Sequence, residues 1–289
     1  MWMPPLVAFA ISFFTSMGGV SGAFLLLPFQ MSVLGFTSPA VSPTNLVFNI
    51  VAIPGGVYRY VREGRMLWPL TLIIVVGTLP GVIGGGFVRL AYLPDPKPFR
   101  VFVGVVLLYV GVRVLLGYWR NPRTGNSMEN GTTSVQWKVR TLSFSLRQYS
   151  FEFQGTVYRC RTTGIFLLSL LVGVVGGVYG IGGGAVIAPL LVAVYGLPVH
   201  AVAGATLMGT FITSLAGVAF YQLVAPHYET SGLAGSPDWA LGALFGLGGI
   251  AGTYFGAGTQ RFISVKWLKL MLGLISLFVA VRYIAGYFS

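Results

Sequence analysis

The chain has 289 residues, of which 55% are hydrophobic and 8% charged, with a mean hydropathy of +0.81; a soluble domain carries roughly 25% charged residues. One cysteine excludes an internal disulfide and any multi-cysteine metal centre, and two histidines argue against a histidine-built one. The formal charge of +12 sits mainly between apolar runs, a pattern that in a membrane protein speaks of orientation and phospholipid contact, not nucleic-acid binding.

The opening stretch MWMPPLVAFAISFFTSMGG lacks a basic n-region and reads as a first membrane segment, not a cleaved signal peptide. Apolar stretches lie at 4–36, 39–58, 66–92 and 99–119, then at 164–196, 199–224, 238–260 and 267–287. Each is near or above the roughly 20 residues a helix needs to cross a bilayer. The expected fold is therefore an all-α polytopic membrane protein with a first transmembrane repeat at 1–119, a linker at 120–163 and a second repeat at 164–289. The linker begins with a loop composition, NPRTGNSMENGTT. It continues with apolar residues two apart: Val135, Trp137, Val139, then Leu142, Phe144, Leu146, then Tyr149, Phe151, Phe153. Period two predicts a small β-hairpin or meander, with a one-residue slip between triplets.

The two halves repeat one another. An offset of 161 residues lays GVSGAFLLLPFQMSVLGF on GIGGGAVIAPLLVAVYGL, so that Gly19, Gly22, Pro28 and Gly35 fall on Gly180, Gly183, Pro189 and Gly196. Further on, Gly77, Gly81 and Gly85 recur as Gly248, Gly252 and Gly256, and Arg113 recurs as Arg282. Such duplication is typical of secondary transporters. Charge sets the orientation. Arg59, Arg62 and Arg65, and the basic linker, belong on the cytoplasmic side, whereas the equivalent loop of the second half, APHYETSGLAGSPD, has no Lys or Arg and belongs outside. Equivalent loops on opposite sides mean inverted halves, each crossing an odd number of times, which a broken, hairpin-like first segment permits. This places Arg89, Lys97 and Arg100 on the outer side.

The broken segments are where chemistry is expected. Glycine allows positive φ and close backbone approach, and proline removes a hydrogen-bond donor. Half-helix N-termini present free N–H groups and a dipole to anions, and such breaks are tolerated at membrane depth only under protein or around a water-filled cavity. Gly19, Ser21, Gly22, Gly180, Gly182 and Gly183 are thus candidate substrate-binding positions. Asn45 and Asn49 fall on Thr206 and Thr210 at the same offset, each pair four residues apart on one helix face, and join the candidate site as a neutral, donor-rich lining. Taken singly, each threonine is better explained by a bond back to its own helix. The glycines spaced by four are better explained by helix packing. Glu63, Asp95, Glu129, Glu152, Glu229 and Asp238 all lie in loops or at segment ends, so a cation site is disfavoured. His200 and His227 read as interfacial, and Arg113 and Arg282 as snorkelling. A dinucleotide fingerprint at Gly180-x-Gly182 lacks its preceding strand and following acid.

The stretch GIGGGAVIAPLLVAVYGLPVHAVAGATL (Gly180 to Leu207), with its weaker copy GVSGAFLLLPFQMSVLGF, resembles the sulfite exporter TauE/SafE family, also called the 4-toluene sulfonate uptake permease family. The resemblance covers nearly the whole chain apart from the linker. It implies a transporter of sulfur oxyanions or organosulfonates in a prokaryotic inner membrane, with neither direction nor substrate fixed. In the first copy Ser21 and Ala23 stand where the second has Gly182 and Gly184, so the two half-sites need not contribute equally. The combined reading is a carrier working by alternating access, not an enzyme, with an anion channel as the alternative and an intramembrane enzyme or assembly factor behind it. It calls for no cofactor, no metal and no nucleic acid. Its partners are the lipid bilayer and a small sulfur-containing anion, with a homodimer left open.

Overall fold

A computed structural model describes residues 2–120, 138–184, 186–229, 235–262 and 265–288. The first half contains α1 (Met3–Met17), α2 (Ala23–Ser32), α3 (Val41–Arg62), α4 (Trp68–Ala91) and α5 (Pro96–Arg120). A sheet of β1 (Val139–Phe144), β2 (Gln148–Phe153) and β3 (Thr156–Arg161) follows. The second half contains α6 (Thr162–Tyr179), α7 (Ile187–Tyr195), α8 (Val199–Glu229), α9 (Trp239–Thr259) and α10 (Val265–Phe288). Five of these helices are long and apolar enough to cross a membrane. The α3 helix has the length, 22 residues or about 33 Å, but buries Ser42, Thr44, Asn45 and Asn49 on its inward side. These four face protein, and the rows of exposed apolar side chains on other helices, such as Leu72, Val76, Ile83 and Phe87 on α4, suit contact with lipid.

The first and fifth apolar segments are both broken, as their glycines predict. The α1 helix stops at Met17 and α2 resumes at Ala23; α6 stops at Tyr179 and α7 resumes at Ile187. The prolines do not make the breaks. Pro189 is the third residue of α7, in a first turn whose N–H groups have no helical partner in any case, and Pro28 lies inside α2. The α7 helix is capped by the left-handed Gly196, and the chain leaving α2 turns at the left-handed Gly35, each with φ of +66°.

The four-spaced glycines are packing surfaces. Gly77, Gly81 and Gly85 on α4 abut Phe166, Leu170 and Val174 on α6, while Gly248, Gly252 and Gly256 on α9 abut Pro5, Phe9 and Phe13 on α1. At the offset of 161, Pro5, Phe9 and Phe13 are the counterparts of Phe166, Leu170 and Val174. A methyl group at Gly81 would lie 2.5 Å from the Leu170 carbonyl oxygen, and one at Gly252 would lie 2.5 Å from that of Phe9. The same contact is made twice.

These contacts also fix helix directions. The α1 helix runs parallel to α9, and α9 runs parallel to α3, with Gly242, Gly246 and Gly249 beside Val47, Val51 and Ala52. Because α3 therefore runs the same way as α1, the intervening α2 must turn back. Gly22 accordingly returns to the level of Ser12. The α6–α7 pair folds likewise, with the Tyr195 hydroxyl against Gly164 at the start of α6. Each broken segment is a hairpin. Counterpart helices meanwhile oppose one another. On α3 and α8, Leu46 lies beside Gly217 and Gly56 beside Leu207; on α5 and α10, Gly104 lies beside Tyr283 and Gly111 beside Gly273.

The sheet is an antiparallel meander in the order β1-β2-β3. Its register shifts between Thr141 and Ser143, which is the slip the sequence pattern contains. Tyr149, Phe151 and Phe153 are buried, whereas Leu142, Phe144 and Leu146 are exposed; Val135 and Trp137 lie outside the described residues. The Val139 amide donates to the Gly64 carbonyl oxygen at 3.1 Å. The linker sheet and the Arg59–Arg65 turn thus share one end of the bundle. Asp238 is at the other end, its amide donating to Thr44 Oγ1 near the start of α3 at 2.8 Å.

Candidate functional site at the paired breaks

All ten residues selected from the sequence are buried and meet in one cluster where the two breaks press on α3 and α8. Gly180 and Gly182 take φ of +81° and +76°, and Gly19 takes +69°, a region that costs a residue with a Cβ about 1–2 kcal/mol. Among the described residues Ser21 is not in that region, so the first break makes its turn with one such glycine fewer. A Cβ on Gly180 would meet Ser42 Cα at 2.5 Å, and one on Gly182 would meet Ser214 Oγ at 2.8 Å. Gly22 is equally closed in, against Phe48 and Ser12.

Side chains of each half reach into the break of the other. Asn45 Nδ2 donates to the carbonyl oxygens of Ala23 and Gly180, both at 3.0 Å, and so ties the breaks together. Its Oδ1 accepts from Gln30 Nε2 at 3.3 Å. Asn49 Nδ2 donates to the Ile181 carbonyl oxygen at 3.0 Å and to Ser214 Oγ at 3.1 Å, while Ser21 Oγ donates to Asn49 Oδ1. From the second half, Thr206 Oγ1 donates to the Gly19 carbonyl oxygen at 2.9 Å and also approaches that of Ala203 at 3.0 Å. Thr210 bonds back to the Thr206 carbonyl oxygen at 2.9 Å, and the Gly183 amide donates to Thr213 Oγ1 at 3.0 Å. The threonines therefore make the helix back-bonds expected of them singly. The amide hydrogens of both asparagines are already engaged. Among the described residues, the backbone amides of Ser21, Gly22, Gly182 and Gly184 find no acceptor.

Three further elements escaped the sequence reading. Tyr179, the last residue before the second break, donates its hydroxyl hydrogen to the Phe24 carbonyl oxygen in the first half at 2.9 Å. Arg89, which the charge pattern assigns to the outer side, is fully buried in the last turn of α4. Its Nε donates to Ser42 Oγ at 3.3 Å, Nη1 donates to the Leu93 carbonyl oxygen, the guanidinium carbon lies 3.7 Å over the Phe99 ring, and Nη2 has no partner. Ser42 Oγ in turn donates to the Tyr179 carbonyl oxygen at 3.5 Å, which links the buried cation to the second break. Among the described residues no carboxylate pairs with Arg89.

The counterpart position in the second half holds Gln260, at the offset of the four-spaced glycines, and Gln260 caps the first break. Its Nε2 donates to the Met17 carbonyl oxygen at 2.6 Å and its Oε1 accepts from Tyr60 and from Arg65 Nη1, at 3.0 and 2.7 Å. Here the buried cation, Arg65, is neutralised by Glu63 at 2.6 Å. One break is backed by a paired arginine and the other by an unpaired one.

An arrangement of free backbone donors, hydroxyls and an uncompensated guanidinium suits an anion; isolated buried charge is otherwise very costly. The one sequence signal available for Arg89 was that it falls within the 66–92 apolar run, although close enough to the end of that run to read as a boundary charge.

The profile described as "Sulfite exporter TauE/SafE" matches residues 5–283. A "Probable membrane transporter protein" of Xylella fastidiosa strain Temecula1 is 25% identical over 283 residues, covering 96% of this chain and 91% of that protein. The "Probable membrane transporter protein YunE" of Bacillus subtilis strain 168 is 21% identical over 287 residues, covering 95% of this chain and 94% of that protein. No solved structure matches. With a multi-pass helical fold and a family match that runs across both broken segments, the chain belongs to the TauE/SafE family of membrane transporters.

Proposed function

We propose that the protein is a secondary carrier of a small sulfur oxyanion or organosulfonate in a prokaryotic inner membrane. In this reading its halves are inverted repeats that rock about the paired breaks to give alternating access. The antiparallel course of α3 against α8 and of α5 against α10 supports the inversion. A hairpin followed by three crossings gives each half the odd number that inversion requires. The basic linker and the Arg59–Arg65 turn then face the cytoplasm.

The observation that carries the reading is the pair of breaks bonded crosswise, with unaccepted amides in each and an unpaired arginine behind the second. Substrate oxygens would take donors now given to Gly180, Ile181 and Gly19 carbonyl oxygens. Losing those bonds would free one hairpin from the other, coupling binding to movement. Arg89 supplies the charge complement.

The test is flux of sulfite, sulfate and taurine in proteoliposomes, with and without a pH gradient. Saturable flux of a sulfur anion with counterflow is expected, lowered at least tenfold in Arg89→Gln; a hydrogen bond to a charged group is worth about 1.5–3 kcal/mol. Flux that rises linearly with concentration, without counterflow, would make the protein a channel. Absence of flux for all three sulfur compounds would remove the substrate class.

A further inference from the structure

A cavity of about 310 Å³ opens at the end of the bundle occupied by the start of α5, lined by Met31, Ser32, Lys97, Arg100, Arg282, Tyr283 and Gly286. Three of its lining side chains are cations, brought together from α5 and α10. Among the described residues none of the three is paired with a carboxylate. Lys97 and Arg100 lie in the first turns of α5, where the helix dipole disfavours positive charge. Three like charges at one mouth, two of them against the dipole, are unfavourable unless something negative joins them. An anion there would gain from all three cations and from the dipole of α5. The volume equals that of about ten waters at ~30 Å³ each, room for a sulfonate or phosphate group with part of its hydration shell.

The polar side of the cavity touches the first hairpin. The Tyr283 hydroxyl donates to the Pro28 carbonyl oxygen of α2 at 2.9 Å and lies 3.0 Å from Ser32 Oγ. We infer that this cavity is a second anion site, separate from the breaks, which holds a tetrahedral or pyramidal oxyanion on Lys97, Arg100 and Arg282 beside the far end of α2 in the first hairpin. If the transport reading holds, the site is an antechamber that concentrates substrate at one mouth; clefts lined by one sign of charge raise local ligand concentration in this way. The same chemistry would accept the phosphate of an anionic lipid, and the experiment separates the two sources.

Thermal stability of the purified protein in detergent is measured against sulfite, dioctanoyl phosphatidylglycerol and, as control, dioctanoyl phosphatidylcholine. The parent, the double variant Arg100→Gln/Arg282→Gln and the charge-keeping Arg100→Lys/Arg282→Lys are compared. A rise in Tm with sulfite that is lost in the Gln pair and kept in the Lys pair assigns the site to the soluble anion. The same pattern with phosphatidylglycerol alone assigns it to lipid. Equal shifts in parent and Gln pair, or none with either anion in the parent, overturn the inference. In proteoliposomes free of anionic lipid, the Gln pair should raise KM for sulfite about tenfold, leave kcat unchanged and weaken the dependence of flux on ionic strength. Binding without transport leaves this site standing and removes the carrier reading; transport with an unchanged KM and salt dependence, together with no Gln-sensitive Tm shift from either anion, does the reverse.

Discussion

The Tyr179 hydroxyl donates to the Phe24 carbonyl oxygen at 2.9 Å, across a gap of half the chain. Phe24 is four residues before Pro28, which has no N–H to give it. The residue that ends the helix before the second break therefore supplies a donor that proline withholds in the first hairpin. Tyr179→Phe removes only this bond, because the stacked rings of Phe24 and Tyr179, 6.2 Å apart, keep their contact. A loss of about 1 kcal/mol is expected. Pro28→Ala restores an amide donor, so the cost of Tyr179→Phe should shrink in that background. A thermal-stability double-mutant cycle in detergent reads the coupling; additive losses would show that the two residues do not share one acceptor.

The glycines of α4 offer a comparison at three residues' distance. A methyl group at Gly81 meets the backbone of Leu170 and Val174, the carbonyl oxygen at 2.5 Å and the amide nitrogen at 2.7 Å, whereas one at Gly84 meets nothing within 4 Å. Backbone cannot step aside as a side-chain end can. Gly81→Ala should reduce folded yield severely, and Gly84→Ala should be neutral or stabilising by up to about 1 kcal/mol through helix propensity. Fluorescence-detected gel filtration of the two variants checks this. Equal behaviour would mean that α4 and α6 do not pack as described.

Much of this architecture was legible because it is local and repeated. The offset of 161 carried the breaks, and four-residue spacing carried the packing role of the α4 and α9 glycines, though not their partners α6 and α1. The slip between Val139 and Leu142 carried the sheet irregularity. What stayed hidden depends on which residues a fold brings together over long distances. Nothing near Tyr179 or Ser42 in the sequence announces a partner in the other half. Arg89 sits four residues before Leu93 at the end of an apolar run, so it reads as a boundary charge until Phe99 and Ser42 are seen to enclose it. The triplet Leu142, Phe144 and Leu146 has the alternation of a buried strand but lies on the edge strand and the turn that follows it, with no layer over it among the described residues.

The sheet gives a test of sidedness. Cys160 is the chain's one cysteine, 5% exposed in β3, and burial pushes its thiol up from the usual range. Less thiolate and little access both slow alkylation, so the parent should stay unlabelled by an impermeant maleimide at neutral pH. Arg140 is exposed on β1, and Arg140→Cys should label quickly in inside-out vesicles and not in intact cells. The reverse pattern would place the sheet outside and invert the proposed orientation.

The second break can be tested apart from backbone strain, because the chain contains a matched control. Gly196 and Gly182 both have positive φ, +66° and +76°. A Cβ at Gly196 meets nothing within 4 Å, but one at Gly182 lies 2.8 Å from Ser214 Oγ, 3.0 Å from Thr210 Cγ2 and 3.2 Å from the Thr210 carbonyl oxygen. Alanine at either position carries the left-handed penalty of about 1–2 kcal/mol. Only at Gly182 does it also push the break away from α8, where Asn49 holds Ile181 and Ser214. Gly196→Ala should lower Tm slightly and transport normally. Gly182→Ala should cost more stability than Gly196→Ala and lower kcat for sulfite at least tenfold at matched folded protein, and Gly182→Val should abolish flux. Ser21 already occupies the counterpart position without positive φ, so Gly182→Ser asks whether the second break can adopt the geometry of the first. If Gly182→Ala carries sulfite as the parent does while Gly196→Ala fails, the substrate path does not pass the second break, and its glycines serve packing alone.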